Sequence, residues 1–419
     1  MSAESNSTCN FSHLTLDQKQ FFDDYIWWVE TAGNLVFGMI GAFLNIITII
    51  VLSSSTMLNN FFNRLLISLA VFDTLYLSCE ISEVFRHRHN TFIQQQIFVY
   101  FTYPMRNIFM FSSVYMTMML AFERYQAITN PVTYRIKMVG TSMNSQLISN
   151  VTPGLLFSVV YYIPKFLDLT VGEDTKCTFN NVTKTFIENA SMDDALAPEF
   201  DETCITNYVL VPTSLRLDPQ YIFWYIIVSN LTLTALVPSA VLIFLNTRIM
   251  TSLKNFNNRR NSLKTLKTSN SLPLSLSEKK NASAAKSSNT DLKKTFILFG
   301  IVILFVLCHS LRIALNVNEF IEVAAQKVTS DGEVCRKERI WKEYAGPFNQ
   351  LLVIINSSLN FFIYVFFDKA FQQVLRTHLH MKNPFQCTCG NGDNKRCNTN
   401  GKSTIKSDVE LNYLNHVGE

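Results

Sequence analysis

Asp73 is a carboxylate inside the apolar run Phe62–Cys79, whose other charge, Arg64, stands near its start. An ionisable group at such depth in a membrane is costly and is kept for function. Oxygen- and amide-bearing side chains recur in other apolar runs at Asn45, Ser113, Asn356, Ser357 and Asn360. Together they can surround a small hard cation, or simply hydrogen-bond helix to helix. Glu123-Arg124-Tyr125 closes a further apolar run, Tyr100–Phe122. A carboxylate and a guanidinium so placed can act as a switch or as a plain interfacial charge pair. Glu80, Glu83, Arg106 and Arg312 form a third polar set. Arg106 precedes Arg124 by 18 residues, five helical turns, and so shares its helix face. The two arginines can pair with Glu80 and Glu83, or meet an acidic group or carbonyl on a ligand. Internal pairing is favoured, because an unpaired buried charge is costly. His309 beside Cys308 suggests a catalytic dyad only at first sight: neighbouring helix residues point to different faces.

The elements that must hold these groups are membrane helices. A bilayer core of about 30 Å needs about 20 apolar residues per helix. Thr31–Leu52, Ser145–Ile163, Tyr221–Asn246, Thr295–Leu311 and Phe348–Phe367 contain no Asp, Glu, Lys or Arg. With Phe62–Cys79 and Tyr100–Phe122 they make seven runs, in a chain that is 16% charged and 48% hydrophobic. Backbone polar groups cannot stay unpaired in lipid, so each run is expected to be a helix. The predicted fold class is an all-α integral membrane protein, a seven-helix bundle with a short amphipathic helix after the last span.

Charge orients the bundle. Residues 246–294 hold 11 Lys or Arg against 2 acids, whereas residues 168–219 hold 10 acids against 3 bases. Positive loops stay cytosolic, which puts the N-terminus outside. The glycosylation sequons at Asn6, Asn10, Asn181 and Asn189 all fall on that outer side. Residues 1–30 read as a glycosylated outer tail without a cleavable signal pattern, so the first span is expected to direct insertion. Residues 31–367 are the bundle. They include a long acidic outer loop, 168–219, and a basic inner loop, 246–294, expected to be disordered. Residues 368–382 suit a membrane-surface helix, with Phe371, Val374, Leu375 and Leu379 at helical spacing. Residues 383–419 read as a cytosolic tail.

Four cysteines, Cys9, Cys177, Cys204 and Cys335, fall outside, where disulfides form, and three pairings are open. Cys387 and Cys389 follow the surface helix and suit acylation. The rival zinc cluster, with Cys397, His378 and His380, lacks a recognised ligand spacing.

The pattern of one signature per span resembles rhodopsin-class G-protein-coupled receptors. LNIITIIVL supplies Asn45, LAVFD supplies Asp73, AFERY supplies Arg124, VPSAVLIFLN supplies Pro238, and NSSLNFFIY supplies Asn356 to Tyr364. The resemblance implies an allosteric sodium pocket at Asp73, Ser113, Asn356, Ser357 and Asn360. It also implies an inner lock in which Arg124 meets Asp291. Pro238, Val114 and Phe305 match the family's connector between pocket and lock, and Glu123, Tyr125, Asn360 and Tyr364 complete the switch. Within the class, SLAVFDTLYL, YYIPKFLDL, CHSLRIALN and NSSLNFFIY resemble invertebrate receptors for FMRFamide-type peptides. Three departures stand out. Val99 occupies the position of the family's third-span cysteine, Leu311 that of its sixth-span proline, and Asn246 that of its fifth-span tyrosine.

These features predict a plasma-membrane receptor for an extracellular amidated peptide that signals to heterotrimeric G proteins by outward movement of the sixth helix. Arrestin and receptor kinases are implied partners; an enzyme, a nucleic-acid binder or a bound cofactor is not. Glu80, Glu83, Arg106, Met110, His309, Arg312 and Glu319 are the candidate ligand contacts. A receptor for a lipid or other small molecule, or one without a ligand, is the alternative. A transporter would place acids at several depths or show inverted repeats, and the sequence has neither.

Overall fold

A computed structural model describes residues 16–89, 91–179, 202–269, 277–326 and 340–379. The chain divides into two compact units, Met1–Leu375 and Arg376–Glu419, and every span lies in the first. Five helical stretches are long and apolar enough to cross a membrane: Lys19–Leu52, Phe61–Arg86, Pro219–Asn255, Thr295–Ile321 and Tyr344–Phe367. Tyr103–Thr129 and Met143–Tyr161 complete the seven in chain order as the third and fourth. The third carries Arg106, Glu123 and Arg124, which dilute its apolar character.

The bundle buries polar groups among its apolar core and turns an apolar face outward, where a water-soluble protein would be polar. Asn45, Asp73, Glu80, Ser113, Arg124 and His309 are buried, whereas Phe43, Ile50, Leu156, Phe244, Leu307 and Phe366 are exposed. Only a hydrocarbon surround makes such an outer face stable. Small residues let the helices approach closely. A Cβ on Gly41 would collide with Ser358 of the seventh span, and one on Gly154 with the ring of Tyr115 on the third.

Local chemistry explains several helix starts. Ser142 Oγ accepts from Ser145 N at 3.2 Å ahead of the fourth span. Asp218 Oδ1 accepts from Gln220 N at 2.7 Å and Tyr221 N at 3.3 Å, with Pro219 in the first turn of the fifth. Asp368 Oδ1 caps the helix Lys369–His378 by accepting from Ala370 N at 2.9 Å. Each cap satisfies donors that a helix N-terminus cannot pair internally.

Three stretches differ from expectation. The first helix begins at Leu16, passes through wider turns at Trp27–Gly33 and continues as Asn34–Leu52, so residues 16–30 are not an irregular tail. No Gly or Pro interrupts residues 16–32, and Tyr25 Oη anchors this extension by donating to the Tyr344 carbonyl at 2.6 Å. The inner loop expected to be disordered over 246–294 is largely helical, because the fifth helix runs on to Ser269 and the sixth begins at Ser277. Extending a formed helix gains a hydrogen bond per residue, and the Lys, Leu and Ala there do not break it. The outer loop forms an antiparallel hairpin, β1 (Leu169–Phe179) with β2 (Glu202–Pro212).

Candidate ligand pocket and activation core

The candidate switch residues lie at the C-terminal end of the third span. Arg124 and Glu123 are both buried, and Arg124 Nη2 donates to Glu123 Oε1 at 2.5 Å while its Nε donates to Glu123 Oε2. Tyr134 Oη donates to the same Glu123 carboxylate. The Arg124 guanidinium lies 4.3 Å from the centre of the Phe62 ring, a cation–π contact to the second span. The guanidinium is thus held by a bidentate acid and an aromatic face. Asp291 stands on the sixth helix, but its side chain lies outside the described residues.

Half-way across, Asp73 is fully buried. Ser113 Oγ donates to its Oδ1 at 2.6 Å and Asn360 Nδ2 to its Oδ2 at 2.9 Å, joining the second, third and seventh spans. Asn45 Nδ2 reaches the carbonyls of Gly41 at 3.0 Å and Ser357 at 2.9 Å. Asn360 Oδ1 is buried and meets no protein donor. An unmet amide oxygen beside a carboxylate, with hydroxyls close by, is donor chemistry that a small hard cation can take. Val114, Phe305 and Tyr364 share the apolar cluster below, Pro238 is buried in the fifth span, and His309 stacks on Phe305 at 4.2 Å.

In the outer half, Arg106 pairs with Glu83 and lies 3.8 Å from Glu80. Gln350 Nε2 donates to Glu80 Oε1 at 2.6 Å from the seventh span. Glu83 also lies 3.7 Å from Arg86, which donates to Gln95 Oε1 at 2.9 Å and covers the Phe98 ring. Arg312 Nη1 approaches Met110 Sδ at 3.0 Å.

Residues 44–364 match the family described as 7 transmembrane receptor (rhodopsin family). The chain belongs to that family. A curated relative, an FMRFamide receptor of Drosophila melanogaster, is 25% identical over 358 residues, covering 83% of this chain and 53% of the relative. The chain therefore spans about half the length of that relative. As a rhodopsin-family member it is a multi-pass membrane receptor and not an enzyme.

At the hairpin end of the bundle stands a residue that sequence reasoning passed over. Asp168 is fully buried just beyond the fourth span. Its Oδ2 accepts from Lys165 Nζ at 2.7 Å, Arg216 Nη1 at 3.0 Å and Tyr103 Oη at 3.4 Å, and its Oδ1 accepts from Tyr221 Oη at 2.5 Å. One carboxylate thus ties the third, fourth and fifth spans to the foot of the hairpin. Burial alone would raise its pKa, but the Lys165 and Tyr221 hydrogen bonds and the Lys165 and Arg216 charges hold it below the ordinary Asp value. The signal available was an acid three residues after Lys165 at the end of an apolar run. Its partners at Tyr103, Arg216 and Tyr221 are remote in sequence. Tyr134, Phe62 and Gln350 escaped notice for the same reason.

The β1–β2 register sets Cys177 opposite Cys204. Directly opposed residues in an antiparallel pair have Cα atoms about 4.5–5.5 Å apart, within the reach of a disulfide. Cys79 and Cys308 are free thiols. Asn6, Asn10, Cys9, Asn181, Asn189, Cys335, Cys387 and Cys389 lie outside the described residues.

Proposed function

We propose that this receptor binds an extracellular amidated peptide of the FMRFamide type and transmits binding to a heterotrimeric G protein. The likeness to the FMRFamide receptor carries the reading. The acidic outer hairpin supports it: Glu173 and Asp174 on β1 offer a negative approach to a cationic peptide. The outer polar interior lacks a free acid on the third span, where Arg106 stands instead, which disfavours a small amine ligand.

In this reading the N-terminus is extracellular and the bundle sits in the plasma membrane. Glu80, Glu83, Arg106, Met110, His309, Arg312 and Glu319 line the binding region, and Pro238, Val114 and Phe305 connect it to Arg124. Release of Arg124 from Glu123 frees the sixth helix to move outward and open a cleft for the G protein. Tyr364, buried against Phe371, stands beside that path. Arrestin and receptor kinases are expected to read the same active face. Asp73, Ser113, Ser357 and Asn360, with Asn356 nearby, hold an allosteric sodium ion; when bound, the ion neutralises Asp73 and favours the resting packing.

The test is calcium signalling in cells that express the chain with a promiscuous G protein. Phe-Met-Arg-Phe-amide and longer amidated peptides ending in Arg-Phe are expected to activate at nanomolar concentration, and their free acids to fail. Silence toward every amidated peptide, with the receptor demonstrated at the surface, overturns the reading.

A further inference from the structure

The acids Glu80 and Glu83 are already engaged, and the sixth span carries several of the buried polar groups without a protein partner among the described residues. Glu80 is buried and receives Gln350, and Glu83 receives Arg106 and Arg86. His309, Arg312 and Asn316 are spaced three and four residues apart, which places them on one helix face. His309 is 1% exposed, and neither Nδ1 nor Nε2 has a protein partner. Asn316 Nδ2 is also buried without one. Arg312 has Met110 Sδ as its hydrogen-bond contact, and thioether sulfur is a weak acceptor for a guanidinium. Among the described residues no carboxylate lies within ion-pair distance of Arg312. Glu319 is seven residues further along, about 10 Å by helical rise. Tyr161, Tyr162 and His309 lie close enough to feel the Arg312 charge, so it faces the bundle interior rather than lipid.

A buried amide N–H without an acceptor is costly, and a half-buried guanidinium whose contact is a thioether keeps donors to offer. The complement of this face is an oxygen acceptor, and a planar one suits the guanidinium fork best. We propose that the His309–Arg312–Asn316 face of the sixth span takes a carbonyl or carboxylate oxygen of the ligand, while Glu80 and Glu83 stay bound to the receptor's own Arg106. The inference rests on the peptide-receptor reading and reverses the simple electrostatic expectation: the open charge in the pocket is positive. Two parts of a peptide supply such an oxygen, the terminal amide carbonyl and an acidic side chain.

The experiment compares wild type, R312Q, R312K and E83Q in the calcium assay at matched surface density. The probes are Phe-Met-Arg-Phe-amide, Asp-Phe-Met-Arg-Phe-amide and Phe-Met-Gln-Phe-amide. R312Q should lower potency roughly 10- to 100-fold, the size of one lost charge-assisted hydrogen bond. R312K, which keeps the charge but not the fork, should lose less. An equal loss for the first two probes assigns the oxygen to the amide, and a loss confined to the Asp-bearing probe assigns it to the carboxylate. If R312Q fails to reach the surface, the R312K shift alone decides. Unchanged potency in whichever Arg312 variant reaches the surface, for every probe, overturns the proposal. So does a non-additive cycle between E83Q and the Arg-to-Gln probe, which would mean that Glu83 holds the ligand cation. Silence of the wild type toward all probes is a different result: it removes the peptide reading itself, and the inference with it.

Discussion

At the scale of single residues, Arg124 shows how much a neighbour decides. The sequence put Glu123 beside it, and adjacency was enough to foresee their pairing. Phe62 and Tyr134, which complete the cage around the pair, were not foreseeable, because packing brings them in from other segments. Removing one partner of a buried ion pair costs about 3–5 kcal/mol, chiefly by leaving the other charge unpaired. Glu123→Gln is therefore expected to loosen Arg124 and raise signalling without ligand severalfold. Basal calcium or cyclic-nucleotide output, normalised to surface receptor, measures it; an unchanged baseline would show that Glu123 does not hold the resting state.

Among the elements, the outer hairpin was the least legible part. Residues 168–219 read as a long acidic loop, since polar and charged side chains obscured any period-two alternation. What fixes the hairpin is Asp168, whose donors come from the third and fifth spans and from the loop itself. Asp168→Asn keeps the shape but loses the charge, and is expected to destabilise the outer end by on the order of 3 kcal/mol. The pH dependence follows from the lowered pKa of Asp168. A carboxylate held below its unfolded value contributes its full stabilisation above that value and loses it as pH falls through the folded one. Thermal unfolding of the detergent-purified receptor should thus show a constant gap between wild type and Asp168→Asn from pH 5 to 8, all above the ordinary Asp value of about 3.9. A gap that closes within that range would remove Asp168 as an ionic clasp. Val99, at the position where the resemblance leads one to expect a third-span cysteine, is fully buried, and the Asp168 ion pairs tie the same end of the bundle.

For the molecule as a whole, the proposed function requires the Glu80–Arg106 region and Arg124 to communicate. Asp73 lies between them and joins three spans through Ser113 and Asn360. If those oxygens hold sodium in the resting packing, sodium and agonist oppose one another, and the opposition is reciprocal. Raising NaCl at constant ionic strength, with choline chloride as the balance, is expected to weaken Phe-Met-Arg-Phe-amide binding roughly 5-fold or more. Asp73→Asn should flatten that response; a sodium effect of equal size in the variant would exclude the site.

The amino-acid sequence by itself determined the number of spans, their order and the inward placing of the polar groups. The reason is physical: a bilayer demands about 20 apolar residues per crossing and satisfies no stray backbone or charge. It also carried the family, since Asn45, Asp73, Arg124, Pro238 and Asn356 to Tyr364 each mark one span. Tertiary structure decided which of the possible partners meet. Arg106 chose Glu83 from the pair the sequence offered, Asp168 gathered four donors, Cys177 came opposite Cys204, and Arg312 has no carboxylate within ion-pair distance among the described residues. Apart from Lys165, three residues before Asp168, these contacts join segments tens to hundreds of residues apart. They are set by helix packing and strand register, which no local pattern of residues encodes.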